Sequence, residues 1–316
     1  MNDYYYYKKK NGELYRFRVE QDDEPWDPRY DCDGNVGHMM CWYKHYNLGD
    51  YKENKWADPH AFLDDLIREN ITDKKIINFI KRGKHNVWMK LQYDRSERTY
   101  KLLKEKTFYD YDGTKRNDIV IAVEGKQLEY MVDDFIEELT LGDKRKLLEN
   151  NGFYFLPLAV YEHSGITMWC GSKWSHFDAQ WDCSDVGWIY TTKKEIIECG
   201  GQLKGKRKWR KVTERNWKEA AQIWLEGEVE TYDMWLTGQV YGYILEKWDG
   251  YDWVDEDSCW GFYSKKWGDE LALEIAHEGF TNEPFISEEE MEILCEAYTK
   301  QLEEDELIDS VAMVFA

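Results

Sequence analysis

The chain has 316 residues, 42% hydrophobic and 16% aromatic, with a formal net charge of -21 at pH 7. That much apolar mass excludes a disordered polyelectrolyte, and the acidic surplus disfavours nucleic-acid binding, because such a field repels polyanions and attracts basic protein surfaces. The 7 cysteines, Cys32, Cys41, Cys170, Cys183, Cys199, Cys259 and Cys295, lack the paired spacing of a disulfide framework or zinc ribbon and read as reduced intracellular thiols.

The opening MNDYYYYKKK has no apolar signal core, and the longest apolar stretches, such as Phe153 to Tyr161, fall far short of a membrane span. A protein of the cytoplasm, with no membrane partner, is expected. Asn11-Gly12 separates Tyr4–Lys9 from the alternating Tyr15, Phe17 and Val19, which predicts a type I′ β-hairpin. Asp58-Pro59 caps and opens a helix with Phe62, Leu63, Leu66 and Ile67 on one face, and a second runs from Thr72 to Gly83. Between 84 and 127 only a turn at Asp112-Gly113 and a strand over Ile119–Val123 stand out. From Leu128 to about Asn150 the apolar spacing predicts helix, and Phe153–Tyr161 a central strand.

Thr213 begins the clearest helical pattern, with Trp217, Ala220, Ala221, Trp224 and Leu225 on one side and Gly227 as its stop. Asp249-Gly250 predicts another I′ hairpin. Ser287 and Glu290 form a capping-box pattern ahead of the stripe Met291, Leu294, Tyr298 and Leu302. The fold class that follows is α+β, with antiparallel sheets, hairpins, packed helices and an acidic C-terminal helix. Three segments are expected: a β-rich 1–57, a mainly helical insertion at 58–150, and an α+β region at 151–316.

Candidate chemistry is sparse. His163, Cys170, His176 and Cys183, with Asp178, Asp182 and Asp185, could be imagined as a metal site for hydrolysis, but the spacing matches no defined zinc motif and reads more simply as a polar loop with capping aspartates. No nucleophile, P-loop, cofactor or metal ligand is assigned. Lys204, Lys206, Arg207, Lys208, Arg210 and Lys211 around Trp209 form the one basic patch, read as a solvated loop or a contact with acidic surface. From Phe280 onward Lys300 is the only basic side chain among many carboxylates.

Several blocks resemble a family of uncharacterised proteins of tailed phages and other bacterial mobile elements. They are HMMCWYKHYNLGD at His38–Asp50, LPLAVYEHSGITM at Leu156–Met168, WDCSDVGWIYTTKKEI at Trp181–Ile196, GEVETYDMWLTGQVYGYIL at Gly227–Leu245 and DSCWGFYS at Asp257–Ser264. The resemblance implies a mobile-element origin and a role inside the infected bacterial host, and brings no catalytic residues. Within these blocks Trp188, Tyr190, Tyr241 and Trp260 suit a sheet core, and the glycines suit turns or close packing.

The functional expectation is a counter-defence protein that binds a bacterial immune factor, a nuclease or CRISPR effector, on its basic nucleic-acid surface. The interface residues are Glu288, Glu289, Glu290, Glu292, Glu303, Glu304, Asp305 and Glu306. Direct nucleic-acid binding is not expected, and a homo-oligomer is compatible. The alternatives are a metal-assisted hydrolase using the His163–Asp185 loop and a phage structural or assembly protein.

Overall fold

Strand alternation sorts the tyrosine run at the N-terminus. In the computed structural model, which describes residues 4–50, 56–83, 85–176, 178–204 and 209–314 (without the side chains of Glu306 and 309–314), Tyr5–Lys8 (β1) pairs antiparallel with Leu14–Gln21 (β2). The hairpin forms as expected, but its turn is not type I′. Such a turn needs positive φ at both central residues, and only Gly12 has it, at +95°. Instead Gly12 N–H donates to the Lys9 carbonyl at 2.9 Å, and the Asn11 side chain bonds Glu13.

After His38–Cys41 (β3) come two helices, Pro59–Asn70 (α1) and Asp73–Arg82 (α2). Asp58 caps the first by accepting from Ala61 N–H at 3.0 Å, and Gly83 ends the second at φ +63°. A meander follows: Met89–Asp94 (β4), Thr99–Tyr109 (β5) and Lys115–Gly125 (β6). The segment 58–150 therefore carries a three-stranded sheet as well as its helices. Its expected long helix is broken into a 3₁₀ turn at Leu128–Met131, then Val132–Glu138 (α3) and Leu141–Glu149 (α4). Thr140 causes the break, because its hydroxyl accepts from Asp143 N–H and caps a new helix.

Phe153–Glu162 (β7), Ile166–Cys170 (β8) and Cys183–Thr192 (β9) come next, and β9 pairs with both β3 and β7. Gly187 on β9 lets β3 approach: a Cβ there would lie 1.9 Å from the Met40 carbonyl oxygen. Thr192 and Glu195 form a full capping box on Lys193–Cys199 (α5). Gln202–Lys204 (β10) and Trp209–Lys211 (β11) make a small hairpin.

Trp217–Leu236 (α6) starts four residues later than expected, because Asn216 accepts from the Thr213 amide and hydroxyl in a turn. It also runs through Gly227. An internal glycine costs about 1 kcal/mol, and the buried Val229 and Tyr232 beyond it outweigh that. The remaining elements are Val240–Trp248 (β12), Trp253–Tyr263 (β13), Gly268–Gly279 (α7), Phe285–Ile286 (β14) and Glu288–Val314 (α8). The β12–β13 turn is again not I′: Asp249 accepts from the amides of Tyr251 and Asp252 in a four-residue loop.

The described residues hold eight α-helices and fourteen strands in four antiparallel sheets, an α+β fold. The chain divides into two compact units: Met1–Asp33 with His163–Met168 and Glu230–Ala316, and Gly34–Glu162 with Trp169–Val229. In the second unit α1 to α4 and the meander enclose Phe62, Ile67, Ile80, Leu102, Phe135 and Leu148.

The first unit contains a sheet in the order β13-β12-β2-β1-β14. One face, with Tyr7, Tyr15, Phe17, Tyr243 and Leu245, packs on Leu271, Ala272, Ile275 and Ala276 of α7. Fully burying one such ring contributes about 2–3 kcal/mol. The opposite face, with Tyr6, Leu14, Trp248 and Trp253, meets Met291, Leu294 and Cys295 of α8.

Candidate partner-binding groove

The α8 side of that sheet bears a groove. Leu14, Met291 and Cys295 are its buried anchor, and burial pushes the Cys295 thiol up to about 11. Beside them a cavity of about 750 Å³ is walled by Tyr6, Trp248 and Trp253 on the sheet and by one row of α8 side chains. Glu288, Glu292 and Glu296 recur every four residues, the spacing that stacks side chains on one helix face, and Glu303 extends the row two turns on.

The sheet wall is held by a cation used internally. Arg16 makes a two-point contact with Glu246 at 2.7 and 3.1 Å, and its guanidinium lies over the rings of Tyr4 at 4.3 Å and Trp253 at 4.8 Å. Tyr6 donates to Glu288 at 3.3 Å; burial, then the Glu288 charge, raises its hydroxyl to about 12. Ser287 accepts from Glu290 N–H at 3.1 Å and fixes the start of the helix. The groove thus presents four carboxylates against Lys300 and an Arg16 already bound to Glu246.

The expected interface divides into two faces. Glu288, Glu292 and Glu303 line the groove, while Glu289, Glu290, Glu304 and Asp305 are exposed but do not line it. The side chain of Glu306 lies outside the described residues. Among the described residues no lysine or arginine pairs with any carboxylate from Glu288 to Asp305; the nearest pair is Lys10 with Glu283 at 3.8 Å, ahead of the helix. Glu296 was missed, although Glu288, Glu292 and Glu296 stand in plain four-residue register. The aromatic wall was missed as well, because Tyr6, Trp248 and Trp253 come together only through sheet pairing.

The other sequence candidates differ. Asp185 accepts from Lys173 N–H at 2.7 Å and so shapes its own loop. His176 stacks on Tyr161 and Trp169 at 4.7 and 5.5 Å between centroids, and Cys183 is buried. Burial pushes the Cys170 thiol up to about 12. Among the described residues no group of three or more His, Cys, Asp or Glu is arranged to hold a metal ion. Of the basic patch, Arg210 pairs with Glu219 at 2.6 Å; Lys206, Arg207 and Lys208 lie outside the described residues. Trp260, expected in a sheet core, is 44% exposed on β13.

Among the described residues no helix is long and apolar enough to cross a membrane. No family model, curated protein or solved structure matches the chain.

Proposed function

We propose that the chain binds a bacterial immune factor, a nuclease or CRISPR effector, through α8 and its groove, and thereby excludes nucleic acid from a basic surface. The observation that supports this reading is charge density on a continuous helix. Eight carboxylates, Glu288, Glu289, Glu290, Glu292, Glu296, Glu303, Glu304 and Asp305, lie along α8. At 1.5 Å per residue they span about 25 Å, near one charge per 3 Å, close to the ~3.4 Å per phosphate of one DNA strand.

A basic cleft that gains by releasing counterions to phosphates gains in the same manner from such a helix. The aromatic wall adds a place for the stems of the partner's lysines and arginines, which bury their methylenes while the heads meet the carboxylates. The phage-like blocks supply the setting, the cytoplasm of an infected bacterium.

The test is affinity capture from a natural host, followed by titration of the captured protein with its nucleic acid in the presence of this chain. Competition that weakens as salt rises is expected. A ternary complex of chain, target and nucleic acid would overturn the reading.

A further inference from the structure

At the far end of β13 from the α8 groove, the first unit carries a second cavity, of about 690 Å³. Its walls are the rings of Trp26, Trp260 and Tyr263, and its rim is the acidic run Asp22, Asp23 and Glu24 after β2. Trp26 is 73% exposed and Trp260 44%, so two large rings stand open to solvent beside three carboxylates. Trp253 of the α8 groove lies seven residues away along the strand, about 23 Å at the usual rise, which separates the two sites.

The cleft is built and held. Trp260 lies across Gly242, its partner on β12, where a Cβ would come within 2.2 Å of the indole; the missing side chain seats the ring. Three hydrogen bonds fix the segment that carries Trp26. Asp22 N–H donates to the Val240 carbonyl at 2.8 Å, the Trp235 indole to Pro25 at 3.2 Å, and the Tyr263 hydroxyl to the Trp26 carbonyl at 3.2 Å. Nearby cations are already engaged, Arg18 with Glu20 and Lys265 with Glu230, each at 2.7 Å. Among the described residues, none pairs with Asp22, Asp23 or Glu24.

We propose that this cleft binds the guanidinium of an arginine side chain presented by a protein partner. Flat electron-rich rings attract a cation over their faces, and a guanidinium, planar and weakly hydrated, stacks there at lower desolvation cost than an ammonium. Its fork of N–H groups matches carboxylates, which accept two at a time. A neutral ligand gains nothing from the acidic rim, and an anion is repelled by it. This proposal is independent of what α8 binds.

Cys32 borders the same cavity and is exposed, so it reports occupancy; Cys199, exposed in the other unit, is the reference. Alkylation of the intact protein is followed at each cysteine by peptide mass spectrometry, with N-acetyl-arginine amide, its lysine analogue or its neutral citrulline analogue as probe. The arginine probe is expected to slow Cys32 and not Cys199, with the lysine probe weaker and the citrulline probe inert. Trp26→Ala, at an exposed ring, is expected to raise the half-protecting concentration about two- to fivefold, the worth of one exposed cation–π contact. The double change Asp23→Asn with Glu24→Gln is expected to act in the same direction. Equal protection by citrulline, equal slowing of Cys199, no protection at all, or an unchanged Trp26→Ala variant would each overturn the proposal.

Discussion

Thr299 on α8 donates its hydroxyl to the carbonyl of Gly250, at the tip of the β12–β13 hairpin, and so ties the acidic helix to the strand pair that carries Trp248 and Trp253. Gly250 stands at φ +116°, and a Cβ there would lie 2.3 Å from Leu302 Cδ1. The contact holds the groove's two walls together.

Gly250→Ala should therefore loosen the helix from the hairpin. A side chain at positive φ, pressed on Leu302, is expected to cost about 2 kcal/mol. Urea unfolding measures the loss, and hydrogen exchange should rise first in α8; an unchanged midpoint would mean that the tip does not brace the helix.

The two faces of α8 should separate by charge reversal. Glu292→Lys with Glu296→Lys, inside the groove, is expected to slow association with a basic partner about tenfold or more at low salt. Glu289→Lys with Glu304→Lys, outside it, should act mainly through the long-range field and fade by 0.5 M salt. Stopped-flow association at several salt concentrations distinguishes them, and equal behaviour of the two pairs would remove the groove's special standing.

Lys144 is 1% exposed and pairs with Asp64 at 2.5 Å, with His60 Nδ1 at 3.2 Å. Removing one partner of a buried pair strands the other charge, so Lys144→Ala should cost about 3–5 kcal/mol. Joint replacement by Lys144→Met and Asp64→Leu should recover most of that loss. Denaturant titration of the three proteins tests it, and a mild effect of the single change would place the ion pair in contact with water.

Glu195 supplies a pH dependence. Burial alone would raise its pKa, but His38 Nε2 at 2.8 Å and the Thr192 hydroxyl and amide outweigh this and hold it at about 2. Because the folded value lies below the unfolded one of roughly 4.3, its stabilisation is complete above that pH and is lost as the pH falls towards 2. Glu195→Gln keeps a capping side chain and should flatten that stretch of the stability profile. Parallel acid melts of parent and variant would show equal slopes if the pair did not matter.

Local signals in the sequence translated into structure wherever one element satisfied itself. Asp58-Pro59 predicted the start of α1 to the residue, because cap and first turn lie within four positions. Tyr15, Phe17 and Val19 declared a sheet face by alternation alone. The failures share a cause in competition between neighbouring signals. Gly227 reads as a stop until the buried Val229 and Tyr232 carry α6 past it, and the helical spacing after Leu128 hid the cap at Thr140. Both Asn11-Gly12 and Asp249-Gly250 marked hairpins correctly, yet each polar side chain bonded the loop and left only glycine at positive φ. The groove was half legible: its carboxylates follow from helical spacing, while its aromatic wall joins residues more than 200 positions apart in the chain.

The β12–β13 pair carries Trp253 near its turn and Trp260 near its open end, with irregularities of register between Tyr241 and Gly242 and between Leu245 and Glu246. A slip of the whole strand by one residue would turn both indoles to the wrong side at once. An insertion or deletion between them would instead turn one indole against the other and abolish one recognition surface, while changes in α8 or in the loop after β2 can retune either one alone.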